Sequence, residues 1–298
     1  MNNLNLFATV LTYEAPSSNY RGESDNNRTM LQKILRGDEE YTVTSSESIR
    51  NALREILCEA GLPANRTRLT NEDQLTVEFK DYPDPSKFAD DFIFGFMMAC
   101  SKAEHKSQVD RGLVPKRDSI LRLNMAVALN QYQNEATFHQ SPKNGGKSPW
   151  SNSTSSALVH KEVVSTAYQY PFALSMKDCK KGPPEWTRAL IKAVTELTNV
   201  AGGHARGLYE FCPRSVVCRV TQTRVAGYKT YGFEPDGTFP ELSRVGGTIL
   251  KGPEFWVGGE VVRKMDPITK ERLVTAGAHL FDEANDALTG ASDIALKD

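Results

Sequence analysis

"VVSTAYQYPFALSM", residues 163–176, decides the fold, because large apolar residues alternate along it with period two and indicate a strand that buries one face. That face comprises Tyr168, Tyr170, Phe172 and Leu174. The next segment, "GPPEWTRALIKAVTELTNVAGG" (182–203), predicts a helix that begins at the prolines and ends at the two glycines. Its buried stripe comprises Trp186, Leu190, Val194 and Leu197. "RSVVCRVTQTR" (214–224) predicts another strand, so this part of the chain reads strand, helix, strand.

The N-terminal part of the chain also begins with a strand and a helix. Residues 4–13 alternate with period two and predict the first strand. The segment "YTVTSSESIRNALREILCEAGLP" (41–63) predicts a short extended piece and then a helix. Thr44 and Glu47 have the spacing of a capping box, and Gly61 marks the end of this helix.

Further strands and two insertions complete the pattern. "DQLTVEFK" (73–80) and "SILRLNMAVALNQYQ" (119–133) predict strands. The mixed segment 81–117 contains a short apolar helix-like piece, and the polar segment 134–161 predicts a projecting hairpin or loop. Beyond residue 224 the pattern indicates hairpins and a short helical tail. The element order is therefore that of a ferredoxin-like or RNA-recognition core, an α+β fold, with two large insertions.

One polar stretch, "SSNYRGESDNNRTMLQKI" (17–34), is much longer than a turn requires. Its Asn19, Arg21 and Gly22 suit a phosphate group, because arginine forks onto oxygens and glycine lets backbone N–H groups approach. A solvated surface loop would explain the same residues.

The start of the helix predicted near residue 45 is a second candidate anion site. Ser45 and Ser46 stand beside free N–H groups at the positive end of the helix dipole. Arg50 and Arg54 lie one turn apart, a like-charge pair that an intervening anion would stabilise. Alternatively, Glu47 pairs with Arg50 and the helix is merely capped.

A third candidate is "GGHARGLYEFCPRS" (202–215). Gly202 and Gly203, followed by His204 and Arg206, would bring backbone close to a ligand. A helix C-cap and a connecting loop would use the same glycines. All three places offer backbone donors and arginine but few aromatic residues, which suits a sequence-independent grip on a sugar-phosphate chain.

Composition and motifs argue against several classes of function. The net charge of −1 gives no global basic field. The five cysteines have no C-x-x-C spacing and the histidines no metal-ligand spacing, so neither a metal nor another cofactor is expected. "NGGKSPW" is not a P-loop, because Ser141 stands where the first glycine is required, and "GGHARG" follows a helix rather than a strand. Without a signal peptide or a bilayer-length apolar run, the protein is expected to be cytoplasmic, with no membrane contact.

Five segments together resemble the DevR-type family of CRISPR-associated proteins, the backbone subunits of type I Cascade complexes within the RAMP superfamily. The segments, in chain order, are "NYRGE", "SSESIRNALREIL", "RDSILRLNMAVALNQY", "STAYQYPFAL" and "GGHARGLYEFCPRS". The resemblance runs from the first strand to about Arg219, and the C-terminal part matches only loosely.

This resemblance implies a modified RNA-recognition core, the palm, with an inserted helical finger region and a β-hairpin thumb. It also implies that copies polymerise head to tail along one CRISPR RNA, each thumb reaching the neighbouring palm and kinking the guide at about every sixth nucleotide. The implied regions are palm 1–80, finger 81–117, palm strand 118–133, thumb 134–161, palm 162–224, and C-terminal hairpins with a short helical tail 225–298.

The resemblance also implies site residues and partners. Those that would hold the guide RNA are Asn19, Tyr20, Arg21, Gly22, Ser45, Ser46, Arg50, Arg54, Gly202, Gly203, His204 and Arg206. The thumb contacts would be Lys143, Lys147, Trp150, His160 and Lys161. Implied partners are CRISPR RNA, target DNA through guide pairing in an R-loop, further copies of the chain, other Cascade subunits, and a helicase-nuclease or transposition proteins. Catalysis is not expected.

Two alternatives stay open. Relatives in type III complexes cut target RNA with an aspartate in the first loop, where Asp25 lies, although "SDNN" is also typical of a turn. A DNA-binding transcriptional regulator would need a helix-turn-helix with a basic recognition helix, and the sequence indicates none.

Overall fold

The computed structural model describes residues 3–18, 20–25, 28–71, 74–99, 101–133, 135–140, 158–200 and 208–297. Its strands are β1 (Asn5–Thr12), β2 (Ala15–Ser17), β3 (Tyr20–Asp25), β4 (Arg28–Leu31), β5 (Lys33–Arg36), β6 (Glu39–Thr44), β7 (Arg66–Asn71), β8 (Gln74–Phe79), β9 (Phe96–Met97), β10 (Lys116–Arg117), β11 (Arg122–Leu123), β12 (Ala126–Ala128), β13 (Glu135–Gln140), β14 (Leu158–Thr166), β15 (Tyr168–Ser175), β16 (Thr198–Val200), β17 (Leu208–Glu210), β18 (Pro213–Thr221), β19 (Phe255–Gly259) and β20 (His279–Phe281). Its α-helices are α1 (Ser46–Glu59), α2 (Ala89–Phe94), α3 (Lys102–Asp110), α4 (Met176–Cys179), α5 (Pro184–Thr195), α6 (Glu260–Arg263), α7 (Pro267–Thr275) and α8 (Ala284–Leu296).

A nine-stranded sheet organises the molecule, with strand order β20-β19-β18-β1-β15-β12-β6-β5 and β11 also paired with β15. Strand β1 lies at its centre, where Val10 pairs with Tyr170 on one side and Val216 on the other, both antiparallel. Six elements occur in the chain order β1, α1, β12, β15, α5 and β18, with shorter elements between them. The four strands among them lie side by side as β18-β1-β15-β12. The predicted α+β class is confirmed.

Both faces of the sheet are covered around β1. Leu6 and Val10 point to one face and belong to a core with α1, α5 and α8. Phe7 and Leu11 point to the other face and pack against residues 226–278. Because side chains alternate along a strand, apolar residues at consecutive positions, as at Leu6–Phe7 and Val10–Leu11, require an apolar layer on each side of the sheet.

Residues 17–34 are not the long loop that their polarity predicts. In the described residues this stretch contains the end of β2, all of β3 and β4, and the start of β5. The partner that orders it comes from far along the chain, since β14 pairs with both β2 and β4. Residues 17–34 thus have the composition of a loop but form strands, because the partner strand β14 lies far along the chain.

The boundaries of the two principal helices differ from the predicted ones. Helix α1 is capped by Ser45, whose Oγ accepts a hydrogen bond from the Ser48 N–H at 3.2 Å. The predicted cap, Thr44, is instead the last residue of β6 and pairs with Ala126. The prediction of a helix end near Gly61 is confirmed.

Helix α5 ends earlier than predicted. Its last residue is Thr195, and β16 follows before the glycines at 202–203 are reached. The reason is a competing hydrogen bond: the carbonyl of Leu197 accepts from the N–H of Phe211 at 2.9 Å, which holds the chain in a β16–β17 ribbon. The predicted apolar stripe is nonetheless confirmed, since Trp186, Leu190, Val194 and Leu197 are all buried.

The C-terminal region, residues 225–297, does not form the predicted hairpins. It contains two 3-10 helices, Pro240–Arg244 and Gly252–Glu254, followed by β19, α6, α7, β20 and α8. Strand β20 pairs with β19 in parallel, which requires the crossover that α6 and α7 provide. The predicted helical tail is present as α8.

The remaining segments are short and irregular. The strand predicted over 119–133 is divided into β11 and β12, and the segment 81–117 contains α2, α3 and the β9–β10 pair. None of the helices in the described ranges has both the length and the apolar character that a bilayer crossing requires.

Candidate nucleic-acid interface

Arg21 and Gly22 lie where the pairing of β3 with β4 shifts its register. The shift falls between Tyr20 and Ser24, so that three residues of β3 stand opposite a single residue of β4. Such a bulge bends a strand and redirects its groups, and bulges are frequent beside functional sites. The residues predicted to hold a phosphate are therefore in an irregular part of a strand.

This strand belongs to the same small sheet as the predicted thumb. The sheet has the order β13-β14-β4-β3, with β2 also paired to β14. His160 and Lys161 of β14 pair with Arg28 and Thr29 of β4. The exposed ring of His160 meets Phe138 of β13 edge to face, with centroids 5.3 Å apart. The structure thus brings Tyr20–Gly22 of the predicted first loop and His160 and Lys161 of the predicted thumb into one five-stranded sheet.

Glu162 joins the strands of this sheet from inside. It is 3% exposed, and one carboxylate oxygen accepts from the Leu31 N–H and from Lys33 Nζ, each at 2.8 Å. Its other oxygen lies 3.4 Å from Arg28 Nη2. Burial alone would raise the pKa of Glu162, but the Leu31 hydrogen bond and the two cations outweigh it and lower the pKa below its ordinary value.

Tyr132 completes this cluster. Lys33 Nζ lies 4.2 Å from the centre of its ring, a cation–π contact. Burial, followed by the nearby charge of Glu162, raises the pKa of Tyr132 to about 12. No local sequence pattern predicts this cluster of Arg28, Lys33, Tyr132 and Glu162, because Glu162 lies 129 positions beyond Lys33.

The start of α1 is a capped helix end with one nearby arginine. Ser45 caps the helix, and the Ser46 hydroxyl donates to Glu47 at 3.1 Å. Arg50 donates through Nη2 to the carbonyl of Leu121 at 3.4 Å, and burial lowers its pKa. No hydrogen bond or ion pair between described side chains links these residues to the five-stranded sheet. The single groove implied by the resemblance stays a prediction.

Arg54 does not lie beside the helix start. Its guanidinium donates to Asn51 at 2.6 Å, stacks on Phe94 with 4.8 Å to the ring centre, and approaches Asp90 at 3.8 Å. Burial, followed by the charge of Arg66, lowers the pKa of Arg54 to about 10. Arg54 therefore belongs to the interface between α1 and α2.

Several predicted residues lie outside the described part of the chain. These are Asn19, Lys143, Lys147, Trp150, Gly202, Gly203, His204 and Arg206. For Tyr20, Arg21, Gly22 and Asp25 the structure describes the backbone only. Asp25, the candidate nuclease residue, is the last residue of β3 and pairs with Arg28 of β4.

The chemistry available in the described residues is that of donors and cations. No group of three or more His, Cys, Asp or Glu side chains within them is arranged to hold a metal ion. The cysteines described there are free thiols, Cys58, Cys179, Cys212 and Cys218. Guanidinium, ammonium and backbone N–H groups suit phosphate oxygens better than they suit covalent chemistry.

Comparison with known proteins gives one sequence relative of high coverage. No family model matches the sequence. A CRISPR-associated protein Cas7/Cst2/DevR of Myxococcus xanthus (strain DK1622) is 32% identical over 303 residues, which cover 93% of this chain and 93% of the relative.

The fold is also similar to that of chains in solved complexes. A chain of a CRISPR RNA-guided surveillance complex in a pre-nicking state gives a TM-score of 0.63 at 12% identity, covering 98% of this chain and 100% of that chain. Another CRISPR RNA-guided surveillance complex gives 0.54 at 12% identity, covering 98% and 99%. At this identity the structural similarity establishes the fold alone, whereas the sequence relative establishes the family. The chain belongs to the Cas7/Cst2/DevR family of CRISPR-associated proteins.

Proposed function

We propose that this chain is a non-catalytic, cytoplasmic backbone subunit of a type I Cascade effector, which binds CRISPR RNA, polymerises along it and supports guide pairing with target DNA. The observation that carries the proposal is the family membership over 93% of the chain. The fold shared over 98% of the chain with members of RNA-guided surveillance complexes supports it.

In this proposal the palm is the modified RNA-recognition core formed by β1, α1, β12, β15, α5 and β18. The strand order β18-β1-β15-β12 supports it. In a βαββαβ unit of this class the first strand lies between the last strand and the third strand, as β1 lies between β18 and β15. The thumb is the segment 134–161, which contains β13 and the start of β14, and the finger region is 81–117.

The guide backbone then contacts the five-stranded sheet. The bulge at Arg21 and Gly22 provides backbone donors, and Lys161 at the base of the thumb provides a cation in the same sheet. Arg50 at the start of α1 and the segment 202–206 are further contacts. Pairing between guide and target reads the sequence, while the protein holds the backbone.

The proposed partners follow from this arrangement. They are CRISPR RNA, target DNA through the guide, further copies of this chain and other Cascade subunits, with a helicase-nuclease or a transposition machinery recruited by the complex. A nearly neutral chain suits an open, head-to-tail interface, since a basic groove can face acidic groups of the next copy.

Purification from a host that carries a CRISPR array tests this function. We expect an ultraviolet absorbance ratio that indicates bound RNA, and nuclease digestion that leaves regularly spaced protected fragments. Protein free of RNA, or RNA that the protein itself shortens, would contradict the proposal.

A double variant tests the residues. Arg21→Ala with Arg50→Ala is expected to weaken RNA binding and to reduce its salt dependence, because each lost phosphate contact lowers the slope by roughly one. Arg224→Ala with Lys270→Ala removes two exposed charges elsewhere and serves as the control. Unchanged binding in the first pair would exclude both arginines from the interface.

A further inference from the structure

The five-stranded sheet that carries the base of the predicted thumb belongs to neither apolar core. Among its described residues, the buried apolar side chains are those of Leu31 and Val164. Neither of them is part of the core with α1, α5 and α8 or of the core beneath residues 226–278. Apolar packing therefore does little to fix this sheet against the nine-stranded sheet.

Four short segments connect the two sheets in the described part of the chain. They are residues 13–14 between β1 and β2, Gln32 between β4 and β5, residues 129–134 between β12 and β13, and Ala167 between β14 and β15. Each residue has two free backbone torsions, so these connections limit the distance between the sheets more than the angle between them.

Glu162 ties three of these connections together. Its carboxylate accepts from the N–H of Leu31 and from Lys33 Nζ, on either side of the connection between β4 and β5, each at 2.8 Å. Lys33 Nζ also lies 4.2 Å from the ring centre of Tyr132, which stands in the segment that leads to β13. Glu162 itself lies in β14, which leads into β15.

These contacts are shielded from solvent and depend on direction. The side chain of Glu162 is 4% exposed and that of Lys33 is 13% exposed. Charge-assisted hydrogen bonds of this length tolerate little change of geometry. A rotation of one sheet against the other would break both 2.8 Å bonds and leave a buried carboxylate without its partners, which is strongly unfavourable.

We propose that Glu162 and Lys33 form a joint that fixes the five-stranded sheet against the nine-stranded sheet, and that this joint positions the thumb for binding of the guide. Glu162 is then a positioning residue that does not contact RNA, because its carboxylate is buried and would repel a phosphate. The second half of the inference rests on the proposed function, whereas the first half can be tested on the chain alone.

Pulsed electron paramagnetic resonance measures the joint directly. One spin label replaces Thr137 on β13 and the other replaces Glu59 at the end of α1, both exposed, through unnatural amino acids that leave the cysteines unlabelled. We expect Glu162→Gln to widen the distribution of distances between the labels at least about twofold, because the angle between the sheets is no longer fixed.

Two further variants make this measurement decisive. Lys33→Gln removes the other member of the joint from a partly exposed position, should widen the distribution in the same direction, and provides the test should Glu162→Gln fail to fold. Glu135→Gln makes the same charge change at an exposed position of β13 and should leave the distribution as in the parent protein.

RNA binding separates positioning from contact. With a single-stranded oligoribonucleotide, we expect Glu162→Gln to weaken binding at least about threefold while the dependence of affinity on salt stays as in the parent, because no phosphate contact is lost. A salt slope lowered by roughly one would mean that the joint itself neutralises a phosphate, and it would overturn the positioning role.

The remaining outcomes separate the two halves of the inference. A distribution as narrow as that of the parent in both Glu162→Gln and Lys33→Gln overturns the joint. A wider distribution with unchanged RNA affinity overturns its role in positioning the thumb. If the parent protein binds no RNA and the distribution still widens, the joint stands and the proposed Cascade function fails.

Discussion

Glu162→Gln removes the charge, but little of the volume, from the carboxylate that joins β14 to β4 and β5. The change weakens two charge-assisted hydrogen bonds, from the Leu31 N–H and from Lys33 Nζ, both 2.8 Å long. Hydrogen bonds to charged groups exceed neutral ones by about 1 kcal/mol each, so the loss is about 2 kcal/mol. Arg28 lies at 3.4 Å and is 32% exposed, so its pair with Glu162 adds less than about 1 kcal/mol.

The assay is amide hydrogen exchange of the peptide that contains Leu31, because the expected loss is local to the five-stranded sheet. A loss of about 2 kcal/mol corresponds to roughly thirtyfold faster exchange. Glu135→Gln makes the same charge change at an exposed position of β13, in the same sheet, and should have no effect at Leu31. Exchange at Leu31 that changes less than threefold in Glu162→Gln would refute the reasoning.

The same side chain gives a pH dependence. The folded-state pKa of Glu162 is lowered, so its stabilisation is present above the ordinary carboxyl pKa of about 4.3 and is lost as the pH falls through the lower folded value. The difference between the parent protein and Glu162→Gln should therefore shrink as the pH falls below about 4.3 and disappear below the lowered folded pKa. A difference that persists at lower pH would mean that the charge is not its cause.

Three further predictions concern the rest of the fold. Gly95→Ala should lower the free energy of unfolding, measured in urea, by well over about 1 kcal/mol, because the added Cβ would lie 2.4 Å from a backbone oxygen. Gly37 also has a positive φ but has nothing within 4 Å of an added Cβ, so Gly37→Ala should cost only about 1 kcal/mol. Equal losses in the two variants would refute the clash. Arg219→Met should cost about 3–5 kcal/mol in the same assay, because Arg219 is 2% exposed and its loss leaves the carboxylate of Glu254, 2.7 Å away, without its cation. A loss below about 1 kcal/mol would contradict this. Burial raises the pKa of Asp91, so its folded form binds a proton more tightly than the unfolded form. Relative to the parent, Asp91→Asn should be less destabilising at pH 7 than near the ordinary carboxyl pKa of about 3.9, and urea midpoints without such a change would contradict this.

The elements that the sequence predicted are those whose burial is periodic along the chain. Tyr170 and Leu174 alternate with polar or smaller residues, and Leu190 and Val194 recur at helical spacing, because each face meets one apolar layer. Periodicity is local information, so it identifies the strand β15 and the helix α5 without knowledge of their partners. It does not determine where α5 ends, which depends on the hydrogen bond from Phe211.

The site was less predictable because its contacts are non-local. The stretch 17–34 was predicted as a long loop from its length and polarity, whereas the structure has strands there, two of which, β2 and β4, pair with the distant β14. Glu162 stands 131 positions from Leu31, its hydrogen-bond donor. A single glutamate in a strand gives no sign that it is buried, and the residues around Arg54 gave no sign that its guanidinium would lie against Asp90 and Phe94.

The covered sheet determines where a guide strand would bind in the proposed function. An RNA-recognition domain stacks bases on aromatic residues of its central strands, on the face opposite the helices. Here that face of β1 and β15 carries Phe7 and Leu11 beneath residues 226–278 and Gln169, whose amide exchanges two hydrogen bonds of 3.1 Å with the backbone of Phe233. The described residues leave a base no access to this surface, so in the proposed function the strand would be held at the edge of the fold, by the bulge in β3 and by Arg50 at the start of α1. Backbone N–H and guanidinium groups suit phosphates rather than bases, and bases that the protein does not hold would remain free to pair with a target.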